Sequence, residues 1–519
     1  MLRAFSAAAV LALLPSTALA SEAEAFAYST DPISQTIVGL LLAGLFVLLI
    51  LEKFHKTLAA GMVTAALLMI SMATPYKLMD FDTAVSSVDW NVIFLLGSMM
   101  SIIAVLIETR LFDWMTARMV AAAKGRATPL LRIICAGTGL LSAFADNVTT
   151  VLFMAPMASK VAKTLRISVW VIAMPMIMAA NIGGTATLIG DPPNVIIGVA
   201  AGLTFMQFIY YLAVPVIFMM IALNFFATWF YRRDLAGAHP HDGSDAEAVK
   251  FEHPQVLKWT LWMVGLIFAG FFTHSLTHLP VGVIAFAGAI AVMAGRNVIF
   301  LRQMSGKQAE HAFTRVFERG IEWLTLGFFI FLFMAISSAE HTGLIASAAR
   351  LLQDAIAWVS ASFGLGPQAK LLTAALMILV FSAILSALVD NIPYTIAAVA
   401  IVRVLVGSFA QDMAAAGMPD PQLAADALWW ALALGACLGG NGTLIGASAN
   451  VTTVGIMEKD GHHMPFVEFL KFGVPTASIT VGISAVYLVL YIFVGAVETN
   501  VAGAGLLAVL AAGMMLRGR

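Results

Sequence analysis

The chain has 519 residues, 61% of them apolar and 11% charged. A soluble domain carries roughly 25% charge, so most of the solvated surface of a water-soluble protein is missing and lipid is the implied solvent. The 28 Lys and Arg against 29 Asp and Glu leave a net charge of −1, which argues against a nucleic-acid partner; two cysteines, Cys135 and Cys437, each inside an apolar run, argue against a disulfide framework or zinc site.

At the N-terminus, one charge at Arg3, an apolar run from Ala4 to Leu14, a break at Pro15 and the small-residue end Ala18-Leu19-Ala20 have the layout of a secretory signal peptide over residues 1–20. The alternative is an uncleaved first helix. Cleavage before Ser21 would leave the mature N-terminus outside the cytoplasm, with a bacterial inner membrane as the expected location. Apolar segments long enough for about 30 Å of hydrocarbon then start near Ile33, Thr57, Trp90, Ser168, Met206, Val256, Leu279, Ile321, Asp426, Val474 and Val501. Crossing at each of them carries the C-terminus to the cytoplasm. Only Lys77, Arg350, Lys370 and Arg403 then lie outside, while clusters such as Lys53/Lys56, Lys124/Arg126 and Arg232/Arg233 lie inside, as the positive-inside rule requires.

Two further apolar stretches are refused a crossing. Thr128 to Ser159, broken at Asp146-Asn147, has basic residues at both ends and reads as a re-entrant hairpin whose arms, about fifteen residues each, reach the bilayer middle. Ala369 to Val404, broken at Asp390-Asn391-Ile392-Pro393, reads as its counterpart from the opposite face. The tips are alike: Ser142-Ala-Phe-Ala-Asp-Asn-Val-Thr-Thr150 against Ser386-Ala-Leu-Val-Asp-Asn-Ile-Pro-Tyr-Thr395. Downstream, Gly183-Gly-Thr-Ala-Thr-Leu-Ile-Gly-Asp-Pro-Pro-Asn-Val195 and Gly439-Gly-Asn-Gly-Thr-Leu-Ile-Gly-Ala-Ser-Ala-Asn-Val451 agree at eight of thirteen positions. Because the segment at Trp90 starts outside and that at Trp323 inside, the halves are expected to be inverted repeats, the mark of alternating-access transporters. The division that follows is 21–87 scaffold helices, 88–231 repeat 1, 232–255 cytoplasmic linker, 256–320 scaffold helices and loop, 321–495 repeat 2 and 496–519 a C-terminal helix.

A helix does not run comfortably through Gly183-Gly184 and Pro192-Pro193, so the span from Ser168 and its repeat should unwind in mid-membrane. Open backbone survives there only against a cavity or neighbouring protein. Thr185, Thr187, Asn194, Asn441, Thr443, Ser448 and Asn450 add hydroxyl and amide oxygens to the freed carbonyls, hard ligands suited to an alkali cation, whereas half-helix N-termini favour an anion. Asp146 and Asp390 are the first candidates for function. A carboxylate at a helix centre costs about 2.5–3.5 kcal/mol and needs a partner, a cation or a proton. Neither motif contains a Lys or Arg, so each Asp could exchange H⁺ for Na⁺ with Asn147 or Asn391 beside it, or it could simply cap the second arm of its hairpin. Asp191, aligned with Ala447, is a candidate for cargo-specific chemistry or for a turn before Pro192-Pro193. Glu108 and Glu340, near the ends of equivalent segments, are candidates for a proton relay or for hydrated interfacial groups.

The two tips and two Gly-rich runs, with Asn181 just upstream of the first, resemble the motifs of the ion transporter superfamily. The likeness is to the branch of arsenite-efflux permeases, NhaD-type sodium/proton antiporters and the P-protein group, and it runs from about Leu51 to the C-terminus. It implies an all-α polytopic homodimer in which a scaffold carries a mobile transport domain elevator-fashion. It also implies a site of Asp146, Asn147, Thr149, Asn181, Asp191, Asn194, Asp390, Asn391 and Asn450, to which Thr395 is added as the end of the second tip motif. Carboxylate-transporting relatives carry Ser-Asn-Thr at their tips; Asp-Asn here weighs against citrate or dicarboxylates. The expected function is secondary active transport of a small inorganic ion, Na⁺ or arsenite, of ArsB/NhaD type and coupled to H⁺ or Na⁺. An anion channel or permease of P-protein type and a citrate/dicarboxylate transporter are the alternatives. No His-Glu-x-x-His, Gly-x-Ser-x-Gly or P-loop pattern supports an enzyme, and no cofactor is expected; the expected partners are ion, lipid and a second copy.

Overall fold

The computed structural model describes residues 31–517 except Glu52, Gly125, 239–249, 304–312, Arg319 and Pro419. The expected leader and part of the linker lie outside the described residues. Among the described residues all regular structure is helical, and 11 helices are long and apolar enough to cross a membrane.

The chain opens with α1 (Pro32–Leu51), α2 (Lys56–Ala73), α3 (Trp90–Glu108) and the short α4 (Leu111–Ala122). A hairpin of α5 (Ala127–Ser142) and α6 (Asn147–Leu165) follows, then a broken helix, α7 (Trp170–Gly184) and α8 (Pro192–Ala201), and the long α9 (Phe205–Phe230). The second half runs in the same order: α10 (Pro254–Thr277), α11 (Val281–Gln303), α12 (Trp323–His341) and α13 (Leu344–Phe363). Its hairpin is α14 (Pro367–Leu388) and α15 (Asn391–Ala415), its broken helix α16 (Ala427–Gly439) and α17 (Ser448–Lys459), and α18 (Phe466–Phe493) and α19 (Ala496–Arg517) close the chain.

Each half lends helices to the other, since α2 packs along α12 and α11 along α3. The second contact carries a buried ion pair: Arg296 Nε and Nη2 donate to the Glu108 carboxylate at 2.7 and 2.8 Å, with Arg296 only 1% exposed and lying over the Phe300 ring. Large apolar side chains such as Leu40, Met72, Phe225 and Trp262 are exposed, as expected of a surface solvated by lipid.

The internal duplication is visible atom by atom. Gly183 lies against the backbone of Gly139, and Gly439 against that of Ala383, so close that a Cβ at either glycine would collide with the facing carbonyl. Thr187 Oγ1 donates to Ala143 O at 2.5 Å, and Thr443 Oγ1 donates to Ala387 O. These four pairs occupy matching positions in the two halves, so each broken helix is stapled to its own hairpin in the same way.

Some expectations are displaced. The first hairpin has arms of 16 and 19 residues, near the expected length, but the second has 22 and 25, or roughly 33 and 38 Å at 1.5 Å per residue. Helix α18 starts at Phe466 rather than near Val474: its first turns carry Glu468 and Lys471, joined at 2.5 Å, and Pro475 lies inside the helix without ending it. The break at Gly183 to Pro193 and its repeat occur where the glycine and proline runs placed them.

Candidate functional site

Both tips are helix starts. Asp146 is the N-cap of α6: it accepts from Thr149 N at 2.9 Å and from Thr149 Oγ1 at 2.5 Å. Asp390 occupies the same place on α15, but the residue matching Thr149 is Pro393, which has no N–H and no hydroxyl. Its cap reduces to a long contact from Ile392 N at 3.4 Å, and the carboxylate turns elsewhere. Ser448 Oγ donates to it at 2.6 Å, and Lys56 Nζ stands 3.8 Å away while donating to Ser448 Oγ at 3.3 Å. The capping role therefore describes Asp146 well and Asp390 poorly.

Lys56 was missed in the sequence, where it counted only as a cytoplasmic charge. It brings a cation to a tip whose own motif contains no Lys or Arg. Lys56 begins α2 and lies 5.5 Å from the centre of the Phe328 ring on α12, so the scaffold contact of α2 with α12 delivers it to the tip. A cavity of about 220 Å³ is lined by Lys56, Asp146, Glu322, Thr325, Ser448 and Thr452, with Leu95, Met99, Pro192 and Ile392 among its apolar walls. A second opening, about 280 Å³, shares Lys56, Ser448 and Thr452 and adds His55 and Asp390. The two aspartates thus face neighbouring parts of one vestibule. Glu322 was also missed; it lies at the head of α12 and accepts from Thr325 Oγ1 at 3.0 Å.

Behind the vestibule the breaks are held by amides. Asn194 Nδ2 donates to Thr185 O and Thr187 O at 3.1 and 2.9 Å, and Asn450 Nδ2 donates to Gly440 O and Thr443 O, both at 2.8 Å. Carbonyls freed by unwinding are therefore satisfied within the protein, which meets the requirement for open backbone at this depth. Asn181 joins the halves: it accepts from Asn147 Nδ2 at 3.0 Å and donates to Asn441 Oδ1 and Asn450 Oδ1, both at 2.9 Å. The hydroxyls of Thr185 and Thr395 donate one turn back to Asn181 O and Asn391 O, and those of Thr187 and Thr443 form the staples. These four threonines brace the site with their hydroxyl protons. Asp191 is wholly buried, and its two oxygens accept from Asn391 Nδ2 at 3.3 and 3.4 Å.

Glu108 lines neither part of the vestibule and is tied to Arg296. Glu340 lines a separate cavity of about 150 Å³ with Asp89 and Arg403, between the far end of α8 and the middle of α15. Burial pushes the Asp89 carboxyl above the usual range, against the opposing pull of the Val92 and Asn91 amides and of Arg403.

Membrane-crossing helices around a polar vestibule, with acid-tipped hairpins and opened helices at its floor, define a multi-pass membrane permease. The chain belongs to the CitMHS family of the ion transporter superfamily, whose model, described as a citrate transporter, matches residues 46–435. It is 32% identical over 455 residues to an uncharacterized transporter of Mycobacterium tuberculosis, covering 86% of this chain and 96% of that one. It is 28% identical over 542 residues to the P protein of Homo sapiens, covering 89% of this chain and 60% of the P protein. The fold is similar to the crystal structure of the Alcanivorax borkumensis YdaH transporter, with a TM-score of 0.56 and 14% identity over 85% of this chain and 98% of that one.

Proposed function

We propose that this permease is a secondary active transporter of ArsB/NhaD type that exchanges a small cation, Na⁺ first, against H⁺. The observation that carries the reading is the vestibule itself: among the described residues that line it, Asp146, Asp390 and Glu322 stand against one lysine, so this lining is acidic. In the resting site Lys56 neutralises Asp390, and a cation takes Asp390 by displacing Lys56. The repeats are inverted across an inner membrane, with the mature N-terminus outside, the C-terminus inside and the vestibule toward the cytoplasm, and two copies form a dimer of elevator type. The swapped contacts of α2 with α12 and α11 with α3 supply a rigid frame for such motion.

A second reading has its own observation. Lys56 and Ser448 stand together at the head of α17, where a carboxylate would meet a cation, a hydroxyl and a helix N-terminus, as the family's citrate description suggests. Both readings use the same lysine with opposite signs. In proteoliposomes with an internal pH dye, Na⁺, Li⁺, arsenite, chloride and citrate are added in turn. Cation exchange predicts that Na⁺ or Li⁺ raises the internal pH, that Asp390→Asn abolishes the response and that Lys56→Met preserves it. A response to citrate alone, lost in Lys56→Met, selects the carboxylate reading. Silence with all five solutes refutes both.

A further inference from the structure

An apolar groove of about 770 Å³ runs beside the second hairpin, walled by Ala43 and Ile50 of α1, Leu351 of α13, Phe381 and Leu388 of α14 and Ile401 of α15. Among its described lining residues Tyr394 alone carries a side-chain hydroxyl or charge, and that hydroxyl is paired with Ser382 Oγ at 2.8 Å, so the walls offer nothing to a polar ligand. Along α14 the groove reaches from Met377 to Leu388, roughly 16 Å at 1.5 Å per residue. That is half the hydrocarbon core of about 30 Å, the depth of one leaflet. One end joins the vestibule: Ile50, Leu388 and Val389 wall both the groove and the opening that holds His55, Lys56, Asp390 and Ser448. This end lies at a membrane face, because the α1–α2 turn connects two membrane-crossing helices, and the long arms of the second hairpin carry its tip there. In the first half, Phe144 takes the place of Leu388 and meets Phe268 of α10, the counterpart of α1, edge-on at 5.5 Å. That tip is packed against its neighbour, whereas Leu388 is half exposed beside an open groove.

We propose that the groove binds one anionic phospholipid per chain, with an acyl chain along α14 and the head-group phosphate at Lys53 and Lys56. The groove is open to the bilayer, since Leu351, Phe381 and Leu388 are half or more exposed, and lipid is the occupant that a bilayer supplies at that depth. Lipid tails are as apolar as these walls, so the tail gains little by moving in; shape admits a chain, and charge selects the head. At the head, Lys53 is exposed, and Lys56 reaches Asp390 only at 3.8 Å with its side chain 30% exposed, which leaves both ammonium groups open to a phosphate. Asp390 is the one acid among the described residues lining this end, and a phosphate on Lys56 competes with it for the same ammonium. A basic residue next to the membrane favours an anionic head group about fivefold.

The site depends on neither the cation nor the carboxylate reading, and lipid retention tests it. The full chain is reconstituted with equal parts of phosphatidylglycerol and phosphatidylcholine of matched chains, stripped in mild detergent and weighed intact by native mass spectrometry. One phosphatidylglycerol per chain should remain, favoured over phosphatidylcholine by about fivefold or more. Lys53→Met together with Lys56→Met should abolish that preference. Ala43→Trp, which fills the groove from an exposed position, should remove the retained lipid of either kind, and Leu40→Trp, exposed on α1 outside the groove, should keep it. Equal melting of the two tryptophan variants shows that the loss is not unfolding; if Ala43→Trp does unfold, the lysine pair decides alone. Equal retention of the two lipids, retention of neither, or a retained lipid that a folded Ala43→Trp leaves in place overturns the proposal. A lipid-free dimer that comes apart in Ala43→Trp also overturns it and gives the groove to a second copy of the chain.

Discussion

Replacing Pro393 by Thr should convert the second tip into a copy of the first. In the parent, Asp390 has one cap contact at 3.4 Å and is drawn to Ser448 and Lys56, whereas Asp146 has two cap contacts at 2.9 and 2.5 Å from Thr149. A new N–H and hydroxyl at position 393 supply what is missing. An N-cap is worth about 0.5–2 kcal/mol. The competing Lys56–Asp390 pair is 3.8 Å long, with side chains 30% and 19% exposed, and such a partly solvated pair is worth about 0–1 kcal/mol. The cap should win: Pro393→Thr stabilises by about 1 kcal/mol and detaches Asp390 from Lys56. A double-mutant cycle reads this directly. Lys56→Met should cost more stability in the parent than in Pro393→Thr, with a coupling of about 0.5–1 kcal/mol by denaturation in lipid–detergent micelles. Additive effects, or a destabilised Pro393→Thr, would refute the argument that proline at this position frees the aspartate.

Gly183→Ala and Gly439→Ala should each destabilise by about 1–3 kcal/mol or more, because the added Cβ would collide with Gly139 O and Ala383 O, backbone that cannot swing aside; Gly44→Ala, with open space around it, is the neutral control in the same melting assay. Glu108→Gln should cost about 3–5 kcal/mol by removing the carboxylate that faces the buried Arg296 guanidinium, and the double replacement Glu108→Met with Arg296→Met should recover most of that loss.

How much of the site the sequence discloses depends on the range of the interaction. The breaks and tips are written locally, in paired glycines, paired prolines and an Asp-Asn step inside apolar runs, and they appear where those residues place them. The cap difference is local too: Thr149 and Pro393 occupy matching places in the aligned tips, and the missing N–H of proline was there to be read. Lys56 is another matter. More than 330 residues separate it from Asp390, and hydropathy assigns it only to a side of the membrane. The meeting of Asn181 with Asn450 and of Arg296 with Glu108 is likewise set by which helices pack together. A repeat alignment can match residues, but it cannot say which ones cross to the other half.

The duplication offers a way to separate bracing from chemistry. Several contacts that both copies keep hold backbone: the close approaches at Gly183 and Gly439, the staples from Thr187 and Thr443, the carbonyl clasps of Asn194 and Asn450. Such contacts must survive in both halves because each half faces the same problem of an opened helix in lipid. Where the copies differ, one charge or one donor appears or disappears: Thr149 against Pro393, Asp191 against Ala447, Asn181 against Cys437, Pro192 against Ser448. Of these residues Pro192, Pro393 and Ser448 line the vestibule, while Asp191, Asn181 and Cys437 are buried, and Lys56, Ser448, Asp390 and the Asp191–Asn391 contact gather on the side of the second tip. A symmetric frame would bind the same ion equally at either crossing. The observed asymmetry instead gives one half an amide lock through Asn147 and Asn181, and the other the charged side chains Lys56, Asp390 and Asp191.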